Sequence, residues 1–294
     1  MSKLATWDDI LSLWLHSKPA STVYVYKPVI TGLRNFAKNV PPQEIDLRTL
    51  QGYLEQCGKK QKPATIKRKI CTIRSLFTYA RRIGAIERNP ADALETPHIP
   101  DELANKILVK KDILRIIAAA DEGRDRTLVT LLYSAGIRAS EASNLKWGDC
   151  RVRPGNKDGI ISVLGKGQKR RSIRLTPEVW QQLMTLRPAD SSREDFVFLS
   201  ESGFKKPLWR TRITDIVKAA AKKAGLEQHV SAHWMRHGHA THAMENGAPL
   251  ALISSTLGHT ELSTTARYLH VSPDKSSTAY VSLSNVTRET KPKF

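Results

Sequence analysis

His233-Trp-Met-Arg236, then Leu257-Gly-His259, then Tyr268 nine residues further on, is the stretch on which the reading of this chain turns. Two shorter stretches lie upstream: Gly136-Ile-Arg138-Ala-Ser-Glu141 and Gly165-Lys166-Gly167. Together they supply two arginines, one lysine, two histidines and one tyrosine. Such a set suits an anionic, phosphate-like centre attacked by a phenol. The cations meet growing negative charge, the imidazoles handle protons, and the phenol is the nucleophile.

Each motif alone has a plainer explanation. Arg138 and Glu141 sit one helical turn apart and could be an ordinary surface ion pair, worth little. Lysines at a hairpin tip are usually solvated, and a lone tyrosine is more often core than nucleophile. Zinc is the chemical competitor, because His233 and His237 have the i, i+4 spacing of a metalloprotease helix. Residue 234 is Trp, however, where that motif needs its general-base Glu. An arginine between two histidine ligands also repels a cation. No metal and no cofactor are expected.

Composition narrows the substrate. The chain has 294 residues, enough for two domains with their own cores, and a formal net charge of +19. That surplus attracts and steers polyanions. The three cysteines, Cys57, Cys71 and Cys150, make neither a disulfide framework nor a zinc pattern, which fits a reducing cytosol. No run approaches the ~20 apolar residues of a membrane span, and the N-terminus lacks a signal-peptide core. A cytoplasmic, nucleoid-associated protein with no membrane partner is expected.

Periodicity predicts helices over 4–16, 46–56 and 63–84. In the last, Ile66, Ile70, Ile73, Phe77 and Ala80 alternate steps of four and three and form one buried stripe. Lys67, Arg74 and Arg81 repeat every seven residues on another face, flanked by Arg68, Lys69 and Arg82. Only Glu87 balances charge between residues 59 and 88. That face is expected to contact a DNA groove or phosphate track. Thr96-Pro-His-Ile-Pro100 reads as an extended linker. The expected division is a helical DNA-binding domain over 1–98, a linker over 99–106, and a second domain over 107–294 that includes a C-terminal tail.

The second domain is predicted to open with two amphipathic helices, on Ile113, Ile116, Ile117 and Ala120 and on Leu128, Leu131, Leu132 and Ala135. A helix at 138–146 follows. Ile160–Leu164 and Ser172–Leu175 read as an antiparallel hairpin turning at Gly165-Lys-Gly-Gln-Lys-Arg. Its tip carries Lys166, Lys169, Arg170 and Arg171, of which Lys169 and Arg170 are expected DNA contacts beside the chemistry-bearing Lys166. Helices are predicted at about 177–186, 209–223, 231–245, 249–256 and 262–268, with a last one possible at Ser276–Leu283. The fold class is mainly α with a small antiparallel β-sheet.

The residues 233–270 resemble the C-terminal signature of the tyrosine recombinases, the phage-integrase family. Ala135-Gly-Ile-Arg138-Ala-Ser-Glu141 resembles that family's first arginine box, and Gly165-Lys166-Gly-Gln-Lys its lysine hairpin. The size, without a long arm-binding extension, is most similar to Xer-type recombinases. The resemblance implies a helical, SAM-like core-binding domain followed by an α+β catalytic domain. It also implies a site-specific recombinase that cuts and rejoins DNA through a covalent 3′-phosphotyrosine. Tyr268 would be the nucleophile, and Arg138 and Arg236 would clamp the phosphate with help from His259. Lys166 would protonate the 5′-oxygen, with Lys169 the weaker candidate. His233 would assist proton transfer at the tyrosine and Glu141 would orient Arg138. The partners implied are double-stranded DNA with specific sites, and a homotetramer or a heterotetramer with a paralogue, the tail docking on a neighbour. A type IB topoisomerase-like enzyme and a DNA-binding protein without turnover are the alternatives. Trp234 stands where many members carry a polar residue, and reads as packing.

Overall fold

The computed structural model describes residues 6–100, 103–155, 157–165, 169–201, 205–226, 230–259 and 261–268. The chain divides into two compact units, Met1–Asp101 and Glu102–Phe294.

Among the described residues the first unit holds four α-helices: α1 (Trp7–His16), α2 (Ala20–Phe36), α3 (Leu47–Gly58) and α4 (Pro63–Arg82). Side-chain caps fix two of the starts. Thr6 accepts from the Asp9 amide at 3.2 Å and Asp46 from the Thr49 amide at 2.8 Å, satisfying amides that a helix start leaves open. In α4, Pro63 occupies the first turn, where a missing N–H costs nothing. Its Ile70, Ile73, Leu76, Phe77 and Ala80 are buried against Trp7, Ile30, Leu33 and Leu50. Burying each large side chain stabilises by ~2 kcal/mol, so this stripe defines the unit.

The helix α2 was not legible in the sequence. Its β-branched residues and Pro28 argue against a helix, yet Val29, Ile30 and Leu33 bury one face of it. The Tyr53 hydroxyl, donating to the Val29 carbonyl at 3.1 Å, pins α3 to that face. Tertiary packing here outweighs local propensity.

The second unit runs through α5 (Lys110–Ala119), α6 (Arg124–Ser134) and α7 (Ala139–Ser143). The strands β1 (Cys150–Val152), β2 (Gly159–Leu164) and β3 (Arg170–Leu175) come next. The described chain ends with α8 (Pro177–Met184), α9 (Arg210–Lys223), α10 (Ala232–Glu245), α11 (Leu250–Leu257) and α12 (Leu262–Ala266). The sheet is antiparallel in the order β1-β2-β3, with Ile161 opposite both Cys150 and Ile173. The strand β1 is additional to the expected hairpin, and α7 is shorter than the helix expected at 138–146. The helix α10 threads the middle of the unit, packing on α5, α6, α9 and α11. The expected tail helix at Ser276–Leu283 lies outside the described residues.

Candidate active site

The site assembles where α7, α10, α11 and α12 converge. Arg138 is the N-cap of α7 in extended backbone. Glu141, three residues on, accepts from the Arg138 amide and from its guanidinium, both at 2.8 Å. The same carboxylate takes a bidentate pair from Arg171 of β3, again at 2.8 Å on both oxygens. Arg171 also donates to the Thr256 carbonyl at 2.6 Å. It therefore ties the hairpin to α7 and to the end of α11. The sequence suggested a solvent-facing tip residue instead. Its distance from Glu141 in the chain hid the pairing.

Glu141 is buried between its two arginines. Burial pushes its carboxyl up, but Arg171 and then Arg138 more than offset this and hold it below the usual carboxylate range. A depressed folded pKa contributes stability that is present above the unfolded value of about 4.3 and is lost as pH falls through the folded value. Glu141→Gln is expected to cost about 2 kcal/mol at neutral pH, with the gap to the parent closing on acidification. Thermal unfolding across that range is the measurement, and a gap that ignores pH would reject the linkage.

Arg236 lies on α10 and is 4% exposed. It donates to the Gly136 carbonyl at 2.7 Å and to the Leu257 carbonyl at 2.6 Å. Arg138 reaches the same Leu257 carbonyl at 3.4 Å, so the two guanidiniums share an acceptor. Burial first, then Arg138, pushes Arg236 down to about 9, which leaves it cationic at neutral pH. The glycines beside these carbonyls are needed. Gly136 has φ 59°, and a Cβ there would come within 2.7 Å of His239 and 2.8 Å of Leu257. Gly258 ends α11 at φ 64°, in the left-handed region, against Arg171.

The histidines separate by partner. His259 engages the buried Thr265 hydroxyl through Nδ1 at 2.7 Å. Burial and then Arg236, Arg138 and Arg171 push it down to about 4, so the ring is neutral. Tyr268 is 4% exposed among Leu103, Ala240, Ile253 and Leu257. Its amide donates to the Thr265 carbonyl at 3.1 Å, so one threonine fixes both His259 and Tyr268. Burial raises the phenol, partly offset by Arg236 and Arg267. The side chain on its hydroxyl is His237, at 2.7 Å. His233 lines a concavity with Arg138, Arg210, Thr211 and Lys218 one helical turn away, lowered by burial and by Arg236 and Arg138. His239 takes the Tyr133 carbonyl at 2.8 Å and His242 the Tyr133 hydroxyl at 3.0 Å, so both hold α10 on α6. Lys166 and His270 lie outside the described residues.

Among the expected DNA contacts, Lys67 and Arg68 are exposed on α4 and Lys169 is exposed at the hairpin. Arg74 and Arg81 are spent locally, which breaks the seven-residue stripe as a free cation track. Arg74 donates to the Ala91 and Leu94 carbonyls, and Arg81 pairs with Asp92 at 3.1 Å. Arg170 pairs with Asp149 at 2.7 Å while its side chain stays 61% exposed. No group of three His, Cys, Asp or Glu placed to hold a metal occurs among the described residues. No helix there is long and apolar enough to cross a membrane.

A phenol beside a paired-arginine centre, on a mainly helical unit with one small antiparallel sheet, is the architecture of the tyrosine recombinases. Residues 106–275 match the phage integrase family and residues 12–96 match a phage integrase SAM-like domain. Tyrosine recombinase XerD of Listeria innocua is 33% identical over 243 residues, covering 78% of this chain and 80% of the relative. Tyrosine recombinase XerC of Thermodesulfovibrio yellowstonii is 31% identical over 265 residues, 85% of each. A lambda integrase dimer bound to a COC′ core site superposes with a TM-score of 0.73 at 18% identity, over 92% of this chain and 96% of that one. XerH bound to palindromic difH, a post-cleavage complex, gives 0.70 at 22% identity, over 93% and 83%. These two share the fold. The chain belongs to the phage integrase family and is a tyrosine recombinase of the Xer type.

Proposed function

We propose that this protein is a site-specific DNA recombinase that cuts and rejoins DNA through a covalent 3′-phosphotyrosine on Tyr268. One observation carries the reading: the buried Arg236, which among the described residues donates to the Gly136 and Leu257 carbonyls and to no carboxylate, shares the Leu257 carbonyl with Arg138 and lies near the Tyr268 phenol. Burying a cation against carbonyls alone is costly, and a bound phosphate supplies the missing anion. Arg138 and Arg236 clamp the non-bridging oxygens as charge grows on them. Glu141 orients Arg138, and Arg171 orients Glu141. His259, its Nδ1 engaged by Thr265, offers Nε2 as the donating nitrogen. Lys166 protonates the leaving 5′-oxygen. Capture by the phenol conserves the phosphodiester bond energy, so rejoining needs no nucleotide cofactor.

The first unit, as core-binding domain, supplies phosphate contacts from Lys67 and Arg68. Lys169 and the exposed part of Arg170 do the same from the hairpin. A tetramer on two duplexes, of this chain alone or with a paralogue, carries out strand exchange in the cytoplasm at the nucleoid. Structures of relatives include a lambda integrase tetramer bound to a Holliday junction.

The test is to recover and sequence the DNA captured covalently by this protein in its host, then rebuild that sequence as a nicked duplex. An adduct on Tyr268 that forms equally in EDTA is expected, since side chains meet the developing charge. Loss of the adduct in EDTA with recovery on adding zinc or magnesium would overturn the metal-free mechanism. Absence of any protein–DNA adduct would overturn the recombinase reading itself.

A further inference from the structure

We propose that His237 is the catalytic base that takes the phenolic proton of Tyr268 when this tyrosine attacks the DNA phosphate, an inference that rests on the recombinase reading above. The family resemblance points to His233 for help at the tyrosine, one helical turn earlier. The geometry divides the two. His233 opens on the concavity shared with Arg138 and Arg210. His237 meets the nucleophile, its Nδ1 lying 2.7 Å from the Tyr268 hydroxyl with the rings tilted by 50°. That separation is a good O–H···N hydrogen bond and within reach for proton transfer. The phenol is enclosed by Leu103, Ala240, Ile253 and Leu257, which limits access of water as an alternative acceptor.

A base must be neutral before it acts, and the surroundings ensure this. Burial comes first. His233 and Arg236 on α10, Arg267 beside the tyrosine and Lys106 ahead of α5 add to it, holding His237 down to about 4. His259, beyond α11, faces the same group and is neutral too. Burial raises Tyr268, so the resting pair is phenol and imidazole, with the proton on oxygen. Of the cations that keep His237 neutral, Arg236 is the one expected to receive the phosphate. A phosphate anion held by Arg236 screens the field of that arginine at His237 and favours an imidazolium there.

The step balances without a co-reactant. The Tyr268 O–H bond breaks and its proton passes to His237 Nδ1. The phenolic oxygen forms the bond to phosphorus. The P–O5′ bond breaks, and its electron pair leaves on the 5′-oxygen, which takes a proton from Lys166. In rejoining, the 5′-hydroxyl returns its proton to Lys166 and bonds to phosphorus, the P–O bond to Tyr268 breaks, and His237 returns its proton to the departing phenol.

The experiment compares wild type, His237→Gln and His237→Phe in single-turnover adduct formation on the captured nicked duplex, from mildly acidic to alkaline pH. Glutamine can accept the phenol's hydrogen bond but cannot take its proton. Both variants are expected to lose about 100-fold near neutrality, with DNA affinity and melting temperature close to wild type. The deficit is expected to shrink as pH rises toward the phenol's own ionisation. A glutamine variant within about 3-fold of wild type, or a deficit constant with pH, would reduce His237 to a holder of the ring and overturn the base role. A second measurement needs no variant of His237. In wild type, ¹⁵N NMR is expected to show Nδ1 unprotonated and hydrogen-bonded, and the signal is expected to move in Tyr268→Phe. A protonated Nδ1 would reject the proposal outright. Failure of wild type itself to form an adduct strikes the recombinase reading instead, so the two failures are distinct.

Discussion

Tyr268→Phe is expected to bind duplex DNA as the parent does and to form no covalent adduct on a nicked duplex. The change removes one oxygen from a side chain that is 4% exposed. The ring keeps its place among Leu103, Ala240, Ile253 and Leu257, and the amide keeps its bond to the Thr265 carbonyl. The lost hydrogen bond to His237 costs about 1 kcal/mol, too little to unfold the unit. Cleavage, in the proposed function, loses its nucleophile, and such losses run to a factor on the order of 10⁴ or more. Affinity is unaffected because Tyr268 contributes no charge to a strongly basic chain. Adduct at normal yield from the phenylalanine variant would move the nucleophile elsewhere.

What the sequence made legible was what repeats locally. The stripe of α4 sits where its period put it, and α1, α3 and α8 to α12 fall within a few residues of expectation. The boxes around Arg138, Arg236, His259 and Tyr268 do converge in space. The failures have physical causes. The helix α2 is held by Tyr53 and the core against its own Pro28 and β-branched residues. The strand β1 spans only Cys150–Val152 and owes its state to pairing with β2. Arg74 read as a DNA contact and Arg171 as a hairpin-tip cation because nothing local names their partners, which lie about 20 and 30 residues away at Leu94 and Glu141. His237 stood in the quoted motif, but only the fold of the segment after α11 brings the phenol onto it. Polar contacts made across the chain are the part that periodicity cannot carry.

Arg236→Ala is expected to slow adduct formation by at least ~3 kcal/mol, in line with loss of one preorganised donor from an anion site. The two arginines are not equivalent. Arg138 has Glu141 beside it, and its charge is partly balanced before any substrate arrives. Among the described residues Arg236 has only carbonyls for hydrogen-bond partners, and burial with Arg138 nearby, partly offset by Glu141, pushes it down to about 9. In the proposed function it is a cation held at an energetic disadvantage until a phosphate is seated, so binding of the anion is expected to relieve a cost as well as make contacts. Stability and function then separate. The alanine variant leaves the Gly136 and Leu257 carbonyls without this donor but also removes a buried charge, and these effects oppose each other. Its melting temperature without DNA is expected to stay close to the parent's. The parent is expected to gain stability with rising sulfate beyond what the variant gains, because an ion that binds only the folded site stabilises it by mass action. Equal sulfate responses in the two proteins, together with an equal loss of affinity and cleavage rate, would make Arg236 a packing residue rather than half of a phosphate clamp.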